Sequence, residues 1–244
     1  MRPQKKSRAF GALLLPGWFA ASDASAASLQ VAPILLEVTS PGAATTVTLR
    51  NTGAAPIATQ IRVFRWIQEG GKEKLEPTAN VVASPPASEL RPGQDYVVRV
   101  VRLTQNPVAG EEAYRILIDE LPEVSHRPRT INFVVRHALP LFFDALGSSA
   151  PEVGWRVTQK GRAVSLTATN TGDRRIRLAS VRIGGGAKTA SFGPGLAGYA
   201  LGHSAMSWTA AASGSGLQPG AKVSITGQTE EGPFDAQAVV QKAP

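Results

Sequence analysis

The chain has no cysteine, so disulfide stapling and thiolate chemistry are both excluded and stability must come from packed cores alone. Helical periodicity is almost absent. Only three histidines occur, His126, His137 and His203; they lie far apart, and none stands in metal-ligand spacing with a second His or a Cys. Neither a metal nor a cofactor is expected. No apolar run approaches the roughly 20 residues that a spanning helix needs, so no membrane insertion is expected either. The basic residues are scattered, as Arg62, Arg65, Arg99, Arg102, Arg115, Arg129, Arg136 and the pair Arg174-Arg175, with no single run interleaved with aromatics. That dispersal argues against nucleic acid and suits an acidic or carboxylate-bearing partner.

What is present begins with Arg2, Lys5, Lys6 and Arg8, an apolar stretch from Ala9 to Ala21, and small residues at Ala24-Ser25-Ala26. This is the pattern of a cleaved secretory signal over residues 1–26. Its removal lowers the formal charge from +8 to about +5 and leaves about 218 residues, enough for one or two cores.

Short alternating runs punctuated by Gly, Pro, Asn and Asp recur every ten residues or so, the pattern of an all-β sandwich protein. Strands are expected at Leu29–Val38, Ala44–Asn51, Ala58–Gln68, Val81–Ser84, Asp95–Leu103, Glu112–Leu121 and Thr130–Phe143, enough for one immunoglobulin-like sandwich. The segment DALGSSAP, Asp144–Pro151, reads as a linker. Beyond it, strands are expected at Gly154–Thr158, Ala163–Asn170, Ile176–Ile183, Gly198–Trp208, Lys222–Gln228 and Asp235–Gln241. The domains are thus placed at 27–145 and 151–244. An internal echo supports the division: Asn51-Thr52-Gly53 and Asn170-Thr171-Gly172 each follow an alternating strand early in their half.

The stretch from Glu112 to Phe143, EAYRILIDELPEVSHRPRTINFVVRHALPLFF, reads as two long strands joined by a polar loop. Its second strand is apolar on both faces, with Ile131, Phe133 and Val135 on one and Val134 and Ala138 on the other, so something must cover both. An apolar strand at a sheet edge invites aggregation unless a partner pairs with it, which makes this a candidate partner-binding edge. In the first strand Arg115 sits among large apolar residues. It is either an exposed alternate position or a carboxylate anchor in a cleft, and the residue pattern leaves both open.

Catalytic patterns fail one by one. Gly202-His203-Ser204-Ala205-Met206 half-resembles a nucleophile elbow, but the second Gly and the following helix are missing. Gly184-Gly185-Gly186-Ala187-Lys188-Thr189 lacks the Gly before Lys of a phosphate cradle. Asp119 and Glu120 are adjacent on one strand and point to opposite faces, which is wrong for a glycosidase pair. No catalytic residue is assigned, and no enzyme is expected.

Taken together, LQVAPILLEV with Pro33, VTLRNTG, IRVFRWIQ, ASPPASELRPGQDYVVRV, EAYRILIDELP and RHALPLFF resemble the PapD-like periplasmic chaperones of the chaperone–usher pathway, which assemble pili and fimbriae. The resemblance spans essentially the whole chain after the leader. It implies two immunoglobulin-like domains in an L or boomerang arrangement, located in the periplasm. It also implies partners, namely pilin subunits and an outer-membrane usher, and a last N-domain strand lent to a subunit that lacks its own. By position, the inserting side chains are Ile131, Phe133 and Val135. Many relatives hold the subunit's terminal carboxylate with an Arg in the first strand and a Lys in the last; the matching positions here are Leu35 and Pro140. This variation resembles the archaic branch, with Arg115 as the substitute anchor and Arg65 and Arg136 as helpers. Glu111 matches an acidic residue near the cleft, while its family partner aligns near Asp144. A secreted tandem immunoglobulin-like adhesion or structural module is the alternative, and an exported carbohydrate-active enzyme the more distant one.

Overall fold

The computed structural model describes residues 29–121, 134–185, 188–213 and 217–243. Among them every regular element is a strand. The N-terminal half contains β1 (Leu29–Ala32), β2 (Leu36–Thr39), β3 (Ala44–Asn51), β4 (Ile57–Glu69), β5 (Lys72–Pro77), β6 (Val81–Ser84), β7 (Ala87–Leu90), β8 (Asp95–Arg102), β9 (Glu111–Leu121) and β10 (Arg136–Asp144). One sheet has the order β1-β3-β8-β6; the facing sheet has the order β2-β10-β9-β4-β5, with β7 also paired to β4. Alternation along each strand sends one set of side chains between the sheets. There Leu49, Val100, Ile116, Ile118, Leu141 and Phe143 form a fully buried core.

The C-terminal half contains β11 (Val153–Lys160), β12 (Ala163–Asn170), β13 (Ile176–Gly185), β14 (Lys188–Ser191), β15 (Leu196–Ala200), β16 (Ser204–Ala211), β17 (Lys222–Gln228) and β18 (Pro233–Lys242). Its strand order is β14-β13-β17-β18-β11-β12-β16, with β15 paired to β13. Val157, Leu166, Leu178, Ile183 and Ile225 lie in a separate core. The molecule is therefore two immunoglobulin-like sandwiches in series.

Several strands differ from expectation. The segment expected as one strand from Leu29 to Val38 divides into β1 and β2, on different sheets, because Pro33 has no N–H to carry a ladder across. Gly198–Trp208 likewise divides into β15 and β16 around a turn in which His203 has φ of 52°. The expected start of the last N-domain strand at Thr130 lies outside the described residues.

The Asn-Thr-Gly echo is one structural device used twice. Asn51 is fully buried and donates to the carbonyls of Ala55 (2.7 Å) and Leu90 (2.9 Å), while its oxygen accepts the Gly53 N–H (2.9 Å). Asn170 repeats the pattern, donating to Arg174 (2.7 Å) and Leu201 (3.2 Å) and accepting from Gly172 (3.1 Å). Each amide closes the turn that follows its strand and ties it to a second one, satisfying backbone groups that burial would otherwise strand.

Contacts between the halves are specific. The turn between β4 and β5 places Gly71, with φ of 77°, against β16, where its carbonyl accepts the Ser207 N–H (3.0 Å). A Cβ at Gly71 would lie 2.8 Å from Ser207 Oγ, so both its conformation and its contact demand glycine. Beside it the Gln68 amide donates to the Tyr199 carbonyl (2.7 Å) and accepts the Leu201 N–H (2.9 Å).

Candidate functional site

The first notable feature is the edge of β10. β2 runs parallel to β10 only over Leu141–Asp144, so among the described residues Arg136–Pro140 has no neighbour on that side. Glu120 N–H donates to the Val135 carbonyl (3.0 Å) on the β9 side, and Ser40 N–H donates to the Asp144 carbonyl (2.8 Å) on the β2 side. The register between them is unbroken. Odd-numbered residues therefore bond to β9, while even-numbered ones turn their backbone groups outward. Arg136 and Ala138 thus present free N–H and C=O groups to the edge. Pro140, lacking an N–H, closes the run.

Side chains divide by the same parity. Leu139, Leu141 and Phe143 enter the N-domain core, and Val135 and His137 continue that series toward the open end of the sandwich; the His137 Nε2 is buried without a hydrogen-bond partner among the described residues. On the other face Val134 is 51% exposed. Further along, Phe142 is buried with Trp66 and Ala113 against Tyr199 and Leu201 of the second domain. The expectation that something covers both apolar faces is met at Phe142 by the chain's own C-terminal domain. Of the expected inserting side chains, Val135 occupies the start of this edge, whereas Ile131 and Phe133 lie outside the described residues.

The second feature is the row of residues across the sheet at Pro140. Pro140 pairs with Arg115, Arg115 pairs with Phe64, and Leu35 directly precedes the Leu36–Leu141 pair. Leu35 and Pro140, the positions that match the carboxylate-binding cations of many relatives, thus lie on the same row as Arg115. Leu35 packs against the Trp66–Phe142–Tyr199 cluster. The positive charge sits one strand further in. Alternation puts Arg115 on the face toward the second domain, between Ala113 and Leu117. Its guanidinium lies 3.6 Å from the Trp66 ring centroid and 5.9 Å from that of Tyr199, a cation–π arrangement. The side chain is 16% exposed, with Glu73 Oε1 at 3.8 Å. Burial lowers its pKa, against the raising influence of Glu73 and Tyr199, but an arginine stays charged throughout the physiological range.

The two expected helpers fall in different places. Arg136 is on the same face as Arg115 but further toward the open end; there it pairs with Asp119, which also accepts from Arg62 (2.6 Å). Burial works against the Asp119 carboxylate, yet those two arginines outweigh it and hold its pKa down. Arg65 is on the opposite face, pointing between the sheets. It lies over Tyr114 (5.0 Å to the ring) and 3.9 Å from Glu112, a carboxylate already held by Arg102 at 2.7 Å and by the Tyr114 hydroxyl at 2.9 Å. The structure therefore does not bring Arg65 together with Arg115.

Sequence reasoning missed Arg175. This C-domain residue is 1% exposed and lies 3.7 Å from the Phe142 ring centroid. It donates to Glu111 Oε2 (2.5 Å) and to Glu37, with Glu230 at 3.4 Å. The partner of Glu111 is thus supplied by the second domain, while Asp144 adds a further acid beside Glu111. Burial pushes the Glu111 pKa up, Arg175 pulls it down and Asp144 pushes it up again; the result is a carboxyl raised to about 7. For Arg175, burial opposes the charge, but Glu111, Glu230 and Glu37 outweigh it and the pKa is raised. Only the doublet Arg174-Arg175 marked this residue in the sequence, and nothing in the doublet says which arginine turns inward.

The residues that half-resemble catalytic motifs make local contacts. His203 Nε2 faces Asp173 Oδ1 at 2.9 Å, and the Ser204 hydroxyl donates to the Gly202 carbonyl at 3.2 Å. Gly184 and Gly185 belong to the β13–β14 hairpin.

Residues 28–145 match the family described as pili and flagellar-assembly chaperone, PapD N-terminal domain. A search of curated proteins gives no sequence match. Among solved structures, the chain is similar to one in the CsuC–CsuE chaperone–tip adhesion subunit pre-assembly complex from archaic chaperone–usher Csu pili of Acinetobacter baumannii. Identity is 25%, coverage 89% of this chain and 100% of that one, and TM-score 0.66. It is also similar in fold to the E. coli chaperone DraB (20% identity, 88% and 97% coverage, TM-score 0.58). A third similarity is to a chain of the Salmonella enterica SafA pilin–SafB chaperone complex (18%, 86% and 96%, TM-score 0.59). With a PapD-type N-terminal domain, a second sandwich in series and a half-open last strand between them, the chain belongs to the PapD-like chaperones of pilus assembly.

Proposed function

We propose that the chain is a periplasmic chaperone that completes strand-deficient pilin subunits with its own β10 edge and passes them to an outer-membrane usher, in the manner of the archaic branch. The observation that carries this reading is the asymmetry of β10: among the described residues, Leu141–Asp144 is paired on both edges, while Arg136–Pro140 is paired on one. An open edge flanked by inward-facing apolar side chains is what an incomplete sandwich needs, since the added ladder supplies register and the side chains fill its groove. Ile131, Phe133 and Val135 share the parity of Leu139 and Leu141 and are assigned to that groove. Each would contribute very roughly 1.5–3 kcal/mol of burial before ordering costs.

Arg115 is assigned to the subunit's C-terminal carboxylate. It is a cation on the cleft face, held by stacking on Trp66 and, among the described residues, lacking a hydrogen-bonded carboxylate of its own. Its planar fork suits bidentate capture.

The test is co-expression with a strand-deficient fimbrial subunit. Phe133→Asp should abolish subunit recovery while the chaperone stays folded, because a buried unpaired carboxylate is costly. If Phe133→Asp has no effect and Val134→Asp abolishes recovery, the register is shifted by one residue; if neither variant matters, β10 is not the donor.

A further inference from the structure

Glu73 stands on β5 opposite Gln68, on the face that looks toward the second domain. The strand is held in place there, since Gln68 is bonded to Tyr199 and Leu201, and the adjoining Gly71 to Ser207. Its carboxylate comes to 3.8 Å from Arg115 Nη2, an attractive distance but beyond hydrogen-bond reach. A carboxylate matched to a guanidinium fork approaches to about 2.7–2.9 Å. The two side chains also differ in freedom: Glu73 is 38% exposed, whereas Arg115 is pinned over Trp66. The acid has solvent beside it; the arginine is packed on a buried ring.

We propose that Glu73 is a resident counter-ion, which neutralises Arg115 in the unloaded chaperone and is displaced by the C-terminal carboxylate of an incoming subunit. This rests on the assignment of Arg115 as the carboxylate anchor and adds a competition to it. A loose internal partner keeps a half-buried cation from being left without any counter-charge, and it yields to an anion of the same chemistry with better geometry. Capture is then selective for a carboxylate that can also place its chain along β10, because a small anion gains little over the glutamate already there.

The experiment compares a short acetylated peptide of alternating apolar and polar residues, as the free acid and as the C-terminal amide. Its binding is measured by titration to the full chain, to Glu73→Gln and to Arg115→Ala. The expected result is a preference for acid over amide in the unsubstituted chain, enlarged about two- to five-fold in Glu73→Gln, the range set by removing one partly exposed competing ion pair. The preference should vanish in Arg115→Ala. An unchanged or smaller preference in Glu73→Gln, with the Arg115→Ala loss intact, overturns the counter-ion and leaves the anchor standing. A preference that survives Arg115→Ala overturns the anchor and with it the counter-ion. No acid preference in any of the three proteins, absence of binding included, overturns both.

Discussion

Two arginines lie over aromatic rings where the domains meet, Arg175 at 3.7 Å from the Phe142 centroid and Arg115 at 3.6 Å from that of Trp66. Their surroundings are otherwise opposite. Arg175 is 1% exposed and is gripped by Glu37, Glu111 and Glu230; Arg115 is 16% exposed and among the described residues has only Glu73, at a distance. A guanidinium gripped by three carboxylates of its own chain fixes one domain against the other. One left undersupplied is available for a carboxylate from outside. Under the function proposed above, the same residue type on the same kind of platform serves structure in one place and recognition in the other, and the count and distance of its carboxylates distinguish the two.

The comparison breaks most visibly at Arg175. Arg175→Ala leaves Glu111 buried without its cation, and removing one partner of a buried pair costs about 3–5 kcal/mol. Denaturant unfolding at pH 8 should show a loss of that order, and a smaller one at pH 5, where Glu111 is protonated and needs no partner. The pH behaviour of the unsubstituted chain sharpens the point. A carboxyl raised from 4.5 to about 7 favours folding in its protonated form, so its contribution is complete below pH 4.5 and is lost as pH rises through about 7. Glu111→Gln should flatten the stability profile over that window. A profile unchanged by the substitution would mean that the raised pKa belongs elsewhere in the cluster.

Arg115 should behave differently in kind. Arg115→Ala is expected to leave the domain contact intact and to weaken subunit capture by about 1.5–3 kcal/mol, at least tenfold, with Arg115→Lys recovering only part because the planar fork is lost. Equal weakening for full-length subunits and for subunits lacking their last residues would place the carboxylate elsewhere, and Arg136, on the same face, becomes the next candidate. Arg65→Ala, by contrast, touches an interior network and should not alter the distinction between those subunits. The smallest effects belong to His203→Ala and Ser204→Ala. The His203–Asp173 pair is exposed, so the first should cost no more than about 1 kcal/mol, and neither should change subunit recovery.

How far the sequence foretold this can be judged residue by residue. The long strands were legible because alternation of large apolar residues is a local signal, as in the buried set Tyr114, Ile116 and Ile118. The paired role of Asn51 and Asn170 was visible as a repeated turn. β5, KEKLEP, was not expected, because an exposed hairpin strand carries no apolar alternation, only Lys74 between Glu69 and Glu76. The dual apolarity of the last N-domain strand was legible, but not what covers it: Phe142 packs with Tyr199, more than fifty residues away in sequence. Arg175 was missed because its partners, too, are distant in sequence. Its meaning lies in carboxylates drawn from β2, β9 and the β17–β18 turn, and no local pattern announces a contact assembled from four segments.

The central claim, that the first half of β10 is an open edge awaiting a subunit, is tested most directly by amide hydrogen exchange on the free chaperone and on its complex with a strand-deficient subunit. The N–H groups of Arg136 and Ala138 should exchange rapidly in the free protein and become protected in the complex, while those of Phe142 and Asp144, already paired or covered by β2, should be slow in both. Protection of Arg136 and Ala138 in the free monomer, or no gain of protection on subunit binding, would contradict the account.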